Sequence, residues 1–173
     1  MLMPGHCVIV LVAVGCLALV PGTAQKAPPA PAAAPLVGTW VLNLAKSTFT
    51  PGPPPKSDTR TYAAAGEGLS FSFERVNANG QTVHFEWTAN YDGKDYPCYG
   101  LPTLDTVSIT RIDRFTSEIT LKKAGKVVER PRLVVSQDGK VLTMTNEGTN
   151  AQGVAFRNVL VFDRRESRQG PER

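Results

Sequence analysis

The chain has 173 residues, of which 42% are hydrophobic and 20% charged, and its formal net charge is +4. This length allows one hydrophobic core but is short for two ordinary domains. The composition argues against a disordered chain, and three cysteines are too few for a disulfide-stabilised scaffold.

The start of the chain predicts an exported protein. Cys7–Val20 is an uncharged apolar run, short for a membrane span but typical of the hydrophobic part of a signal peptide. A Pro-Gly pair and two small residues follow, so we predict a signal peptide over 1–24, cleavage after Ala24 and a periplasmic or extracellular location. An uncleaved anchor is one alternative. A lipoprotein attached through Cys16 is another, which is less favoured because further apolar residues follow that cysteine.

Export places the body of the protein in an oxidising compartment, where cysteines usually form disulfides. Removal of the signal peptide leaves Cys98 alone, so no bridge within the chain can form. We expect Cys98 to be a small buried hydrophobic residue rather than a reactive or intermolecular thiol. No Lys, His or helix start is placed to lower its pKa.

After a Pro/Ala-rich spacer over 25–35, the chain alternates apolar and polar residues, the pattern of strands with one buried face. Pairs such as Asn79-Gly80 and Asp138-Gly139 separate these runs and are typical of tight hairpin turns. Between the first two strands we expect one helical turn over 45–49 and a stiff Pro-rich loop over 50–55. The predicted strands are 37–44, 57–64, 69–76, 81–89, 94–99, 105–112, 116–123, 127–135, 140–147 and 154–163.

Ten short strands joined by tight turns predict an all-β protein with an antiparallel up-and-down meander. Closing the meander into a barrel over 36–163 removes its edges, whereas a sandwich, the alternative, usually needs long crossover connections. Pro131 lies inside a predicted strand, so we expect an edge, a bulge or a gap in the ladder there. The polar residues 164–173 predict a disordered tail.

Three segments, GTWVLNLAKSTF, TANYDGKDYP and EGTNAQG, occur in this order in the predicted barrel. Together they resemble a group of small secreted bacterial lipocalin-like proteins of the calycin type, mostly uncharacterised, and Gly38-Thr39-Trp40 resembles the lipocalin Gly-x-Trp motif. The resemblance covers 36–163 and implies a barrel like those of lipocalins and fatty-acid-binding proteins. It implies that Trp40 closes one end of the barrel, but it implies no particular activity. It further implies an arginine packed over that tryptophan: Arg157, Arg164 or Arg165.

The sequence offers no catalytic constellation, so we expect no enzyme, no catalytic residue, no cofactor and no metal. His84 is the single histidine of the predicted mature chain, and its phase opposite Phe85 and Trp87 predicts an exposed residue rather than a general base. One histidine and one cysteine cannot form a usual zinc site. The Asp92-Gly93 segment lacks the ligands of a calcium loop, and nucleophile-elbow and phosphate-loop motifs are missing.

The inward face of the predicted barrel is the candidate ligand site. We expect a small apolar or amphipathic ligand, such as a lipid, to enter through the open end beside the loop at 50–56. Aromatic and aliphatic side chains would hold its apolar part, and the candidate polar anchors are Tyr62, Tyr96, Tyr99 and Arg111. The predicted ligand-binding residues are Phe71, Phe73, Phe85, Trp87, Tyr96, Ile109, Arg111, Leu121 and Met144.

Positive charge is concentrated between residues 111 and 132, where seven Lys and Arg residues outnumber three acidic residues, a balance equal to the +4 of the whole chain. This patch predicts either plain solubility and edge protection or attachment to an anionic envelope surface. The second functional hypothesis is therefore a filled barrel that acts as an envelope interaction module through 111–132. We expect no nucleic-acid partner, and the sequence leaves the oligomeric state open.

Overall fold

The computed structural model describes residues 34–149 and 153–166. The predicted signal peptide, most of the spacer and the tail from 167 onward lie outside the described residues. No helix in the described ranges combines the length and the apolar character that crossing a bilayer requires. The strands are β1 (Gly38–Leu42), β2 (Ser57–Ala65), β3 (Gly68–Val76), β4 (Thr82–Asn90), β5 (Tyr96–Tyr99), β6 (Thr106–Arg111), β7 (Thr116–Lys123), β8 (Lys126–Glu129), β9 (Arg132–Val135), β10 (Val141–Thr149) and β11 (Ala155–Arg164).

The strands form one antiparallel sheet that closes on itself. Each strand from β1 to β7 pairs with the next. The two short strands β8 and β9 follow one another along the chain, and each pairs with β7 on one side and β10 on the other. The last strand, β11, pairs with both β10 and β1. Closure satisfies the main-chain groups that a free edge would expose. The predicted all-β antiparallel barrel is confirmed, and the sandwich alternative is wrong.

The strand bounds follow the predicted ones within two residues, except where Pro131 divides one predicted strand into β8 and β9. A proline has no N–H to offer the ladder, although its carbonyl accepts a hydrogen bond from Ile119 N at 2.8 Å. The predicted gap is therefore confirmed. The expected helical turn is a 3-10 turn over Leu44–Lys46, and β11 includes Arg164, the first residue of the predicted tail.

The inner wall is richest in aromatic side chains on β3 and β4. In the ladder between these strands, Phe71 lies opposite Trp87 and Phe73 lies opposite Phe85. The ring centroids are 5.1 Å apart in the first pair and 5.6 Å in the second. Such pairs contribute about 0.5–1.5 kcal/mol beyond the area they bury, so this wall is both apolar and firmly packed.

Trp40 on β1 is fully buried. Its Nε1 donates a hydrogen bond to the carbonyl of Leu36 at 2.9 Å, and the guanidinium of Arg164 lies 4.1 Å from its ring centroid. Arg164 also donates to three main-chain carbonyls, those of Pro35, Val37 and Gly139. Arg164 is thus the arginine packed over the tryptophan, and the other two candidates are exposed.

A candidate ligand cavity inside the barrel

The barrel interior contains a cavity of about 250 Å³. Towards the mouth it adjoins an outer pocket of about 440 Å³, bordered by the Pro-rich loop after β1 and by the hairpin at 77–79. This volume is well above the space that a single water needs. Side chains therefore do not fill the interior, contrary to the filled-barrel hypothesis. The residues that border both spaces are Pro51, Arg75, Met144, Asn146 and Asn158.

Six of the nine predicted ligand-binding residues line the inner cavity: Phe71, Phe73, Phe85, Trp87, Leu121 and Met144. The alternation of each strand identified these residues correctly as inward-facing. Their shared position also shows that the cavity is bounded by strands from both halves of the chain. The apolar part of a ligand would therefore contact aromatic rings on one side and aliphatic groups on the other.

The other three predicted residues do not line this cavity. Ile109 is fully buried in the core, while Arg111 is exposed and its guanidinium lies 4.0 Å from the ring centroid of Tyr91. Tyr96 Oη donates to Asp92 Oδ2 at 3.0 Å. Tyr96 begins β5 and Arg111 ends β6, so both follow the inward phase but lie beyond the cavity at their strand ends.

A buried ion cluster that the sequence interpretation missed borders the cavity. Arg60 Nε and Nη2 donate to the two carboxylate oxygens of Asp58 at 3.1 and 2.9 Å, and Arg75 Nε and Nη2 donate to Asp58 Oδ2 at 3.0 and 2.9 Å. Asp58 is 0% exposed and Arg60 is 4% exposed. Burial alone would raise the pKa of Asp58, but the two guanidinium groups outweigh it and lower this pKa below 3.8.

The two arginines also stack on aromatic rings. The guanidinium of Arg60 lies 4.7 Å from the ring centroid of Phe162, and that of Arg75 lies 4.7 Å from the ring centroid of Phe73. Burial favours the neutral form of Arg60, yet the carboxylate of Asp58 outweighs burial and raises the pKa of Arg60. Its remaining Nη1 donates to Met144 Sδ at 2.9 Å. Since a thioether is a weak acceptor, this N–H can exchange its partner for a ligand oxygen.

The ion cluster escaped prediction because β2 has no apolar face. Asp58, Arg60 and Tyr62 alternate with Thr59 and Thr61, so neither face of the strand contrasts with the other in hydrophobicity. Only the pairing with β3, in which Arg60 lies opposite Phe73 and Tyr62 opposite Phe71, turns the first set inward. The available signal was the Asp-x-Arg-x-Tyr spacing of two, the period of residues that share one face.

Two buried polar atoms on residues that line the cavity make no hydrogen bond of good geometry within 34–149 and 153–166: Tyr62 Oη, which lies close to the Arg60 guanidinium, and Asn146 Oδ1. Asn146 Nδ2 donates to Glu129 Oε2 at 2.8 Å, and Glu129 also borders the cavity. Burial raises the pKa of Tyr62 to about 12, although Arg60 opposes the shift. Tyr62 is therefore a neutral phenol at physiological pH and keeps its proton for donation.

The residues considered for chemistry in the sequence lie apart from this cavity. His84 is exposed, with Nε2 3.3 Å from Glu86 Oε2. Cys98 is buried, and burial together with Asp105 raises the pKa of its thiol, which disfavours the reactive thiolate. The described residues contain no group of three His, Cys, Asp or Glu side chains arranged to hold a metal ion.

The basic patch over 111–132 is partly neutralised. Lys122 Nζ lies 2.7 Å from Asp95 Oδ1, and Arg132 forms an ion pair with Glu118. Exposed pairs of this kind contribute little to stability, but they reduce the positive electrostatic potential that would attract an anionic surface. The geometry therefore adds no support for an envelope-binding face.

The sequence matches no known family profile and no curated protein. Among solved structures, Rv2717c from M. tuberculosis aligns with a TM-score of 0.50 and 14% identity over 77% of this chain and 94% of that chain. Zebrafish ileal bile acid-binding protein, complexed with cholic acid, aligns with a TM-score of 0.45 and 13% identity over 76% and 99% of the two chains. At such identities the likeness concerns the fold alone.

Proposed function

We propose that the protein is an exported, non-enzymatic barrel that binds a small amphipathic ligand in the inner cavity. One observation carries this proposal: a cavity of about 250 Å³, walled by aromatic side chains, with polar groups where it meets the mouth. Ligand sites generally combine apolar walls with a few convergent polar groups, as here. Export rests on the predicted signal peptide over 1–24.

The arrangement of the lining suggests how a ligand would lie. Its apolar part would be buried against Phe71, Phe85 and Trp87, with a gain of about 25 cal/mol per Å² of apolar surface removed from water. Its polar part would lie near Arg75 and Asn146, which border both the inner cavity and the outer pocket. The cavity is smaller than most drug-binding sites, so the ligand is either small or extends into the mouth.

Native mass spectrometry of the protein from its own host is the direct test. We expect a co-purifying small molecule that organic solvent releases from the barrel. Repeating the measurement on denatured protein controls for covalent adducts. A natively purified protein with no bound molecule, which also fails to take up neutral apolar probes, would refute the proposal.

Filling the cavity should abolish binding without unfolding the barrel. Leu121 lines the cavity, so in Leu121→Trp we expect the larger ring to occupy the empty space. The affinity for the neutral fluorescent probe N-phenyl-1-naphthylamine should fall at least about tenfold, while the far-UV circular dichroism stays unchanged.

The matched control is Val127→Trp, which adds the same ring to an exposed position on β8. This variant should bind the probe like the wild type. Leu104→Trp, from the loop before β6, offers a second way to fill the cavity. Unchanged probe binding in both cavity variants would place the probe outside the barrel.

A further inference from the structure

We propose that the cavity selects ligands whose polar group is uncharged and both donates and accepts hydrogen bonds, such as a primary amide or a hydroxyl, on a compact ring-bearing body. This inference rests on the proposed function and names its ligand class. Three features of the cavity support it: the balance of formal charge, the unpartnered polar atoms, and the shape of the aromatic wall.

The ionisable groups in and directly behind the cavity have no net formal charge. Arg60 and Arg75 contribute two positive charges, and Asp58 and Glu129 contribute two negative charges. Both guanidinium groups already bind the Asp58 carboxylate, so neither is a free counter-charge. An anionic ligand would lose its hydration on entry and gain no unpaired positive charge, which makes its binding unfavourable relative to that of a neutral analogue.

The hydrogen-bonding groups of the cavity are complementary to a ligand that both donates and accepts hydrogen bonds. The amide of Asn146 has a fixed orientation, because its Nδ2 donates to the Glu129 carboxylate, which can only accept. Its Oδ1 is consequently an acceptor without a donor. Arg60 Nη1 donates to the Met144 sulfur, which is a weak acceptor. The Tyr62 hydroxyl lies close to the Arg60 guanidinium but makes no hydrogen bond of good geometry among the described residues.

An unpartnered buried polar atom destabilises the protein, and a bound group that reaches it recovers part of this cost. A carboxylate can only accept, so it satisfies the arginine but not the asparagine oxygen. A primary amide or a hydroxyl can satisfy both. The same cavity therefore discriminates against carboxylates twice, by charge and by hydrogen bonding.

The aromatic wall favours a ring over an extended chain. The rings of Tyr62 and Phe71 lie 4.7 Å apart, and those of Phe71 and Trp87 lie 5.1 Å apart, each pair tilted rather than edge-on. Tyr62, Phe71 and Trp87 all line the cavity, so this wall offers aromatic contacts that favour a planar, aromatic ligand. For scale, an engineered apolar cavity of about 150 Å³ in another protein accommodates benzene, so about 250 Å³ suits one or two fused rings.

Three probes that share a naphthalene ring test the inference on the full mature chain. 1-Naphthaleneacetamide, 1-naphthaleneacetate and 1-methylnaphthalene are compared at pH 7.5 by displacement of N-phenyl-1-naphthylamine and, where solubility allows, by titration calorimetry. We expect the amide to bind at least about tenfold more tightly than the acetate and more tightly than the methyl compound. An acetate affinity equal to or above that of the amide overturns the inference.

The same probes separate this inference from the proposed function. Binding of 1-methylnaphthalene without any preference for the amide leaves a ligand-binding barrel and refutes only the neutral polar group. Failure of all three probes, together with the absence of a co-purifying ligand, refutes both.

A change of charge inside the cavity should shift the selectivity. Glu129→Gln preserves the size of the side chain and an oxygen that accepts from Asn146, but gives the cavity a net positive charge. We expect the preference for amide over acetate to fall about tenfold or to reverse. Arg75→Gln changes the charge in the opposite direction and should weaken acetate binding further.

The control is Glu147→Gln. It removes the same charge from the residue directly after Asn146, at an exposed position of β10 where Glu147 forms an ion pair with Arg157. Its selectivity should equal that of the wild type. If Glu129→Gln folds normally and its ratio of amide affinity to acetate affinity equals that of the wild type, the charge argument is contradicted.

Discussion

Replacement of Asp58 by asparagine is expected to destabilise the barrel by about 3–5 kcal/mol. The substitution hardly changes the side-chain volume, but it leaves the buried Arg60 and the partly exposed Arg75 without their shared counter-charge. A buried charge without a partner is far more costly than a buried pair is favourable. Urea unfolding followed by far-UV circular dichroism at pH 7 measures the difference in the free energy of unfolding.

Asp163→Asn is the matched control, since Asp163 is also a hydrogen-bonded carboxylate on a strand but is half exposed. It accepts from Asn43 Nδ2 at 2.7 Å and lies 3.4 Å from Lys46 Nζ, so its loss should cost less than about 1 kcal/mol. Adding Arg60→Met and Arg75→Met to Asp58→Asn should recover stability by removing the unpaired charges. A cost below about 1 kcal/mol for Asp58→Asn alone would contradict this account.

The same carboxylate makes stability depend on pH in a defined direction. Arg60 and Arg75 lower the pKa of Asp58 in the folded state, so its contribution is fully present above about pH 5 and is lost as the pH falls through the folded-state pKa. We expect the stability difference between wild type and Asp58→Asn to be constant from pH 5 to 7 and to shrink below pH 4. Exposed carboxylates such as Asp113 and Asp138 titrate in both proteins and therefore cancel in the difference.

Truncation of Trp40 to alanine should lower the free energy of unfolding by about 3–5 kcal/mol, the range for a fully buried large aromatic residue. The variant loses the ring beneath the Arg164 guanidinium and the hydrogen bond to the Leu36 carbonyl, and it leaves a void where the ring was. Chemical denaturation at pH 7 measures the effect.

Two comparisons separate the ring from its surroundings. Trp40→Phe keeps a ring beneath Arg164 but loses the hydrogen bond, and should cost less than half as much as Trp40→Ala. Arg164→Ala removes the stacking and the bonds to three carbonyls, whereas Arg157→Ala alters an exposed ion pair and should cost less than about 1 kcal/mol. Equal costs for the two arginine variants would refute the role assigned to Arg164.

Most of the barrel was predictable from sequence because its signals are local. Alternation assigns faces along β3 and β4, and Asn79-Gly80 fixes the hairpin that joins them. Pro131 marks the interruption between β8 and β9 for an equally local reason, the missing N–H. The closure of β11 on β1 followed only indirectly, from the need to protect edges, since no local pattern specifies which distant strands pair.

The candidate site was predictable only where its residues are apolar. Phe71, Phe85 and Trp87 contrast with their polar neighbours, so their inward direction was evident. Asp58 and Arg60 lie on a strand that is polar on both faces, and a buried charge is recognisable only when its partner is known. The second arginine bound to Asp58, Arg75, lies on β3, and the three residues meet through strand register, which a single sequence does not show.

The barrel also separates the two tryptophans of the chain. Trp40 lies beneath Arg164 and is not among the residues that line the cavity, whereas Trp87 is part of the cavity wall. In Trp40→Phe, all tryptophan emission therefore comes from the residue that a ligand would touch. The protein thus contains an intrinsic optical reporter of occupancy, with which ligand release and reloading can be followed on unlabelled protein before the natural ligand is identified.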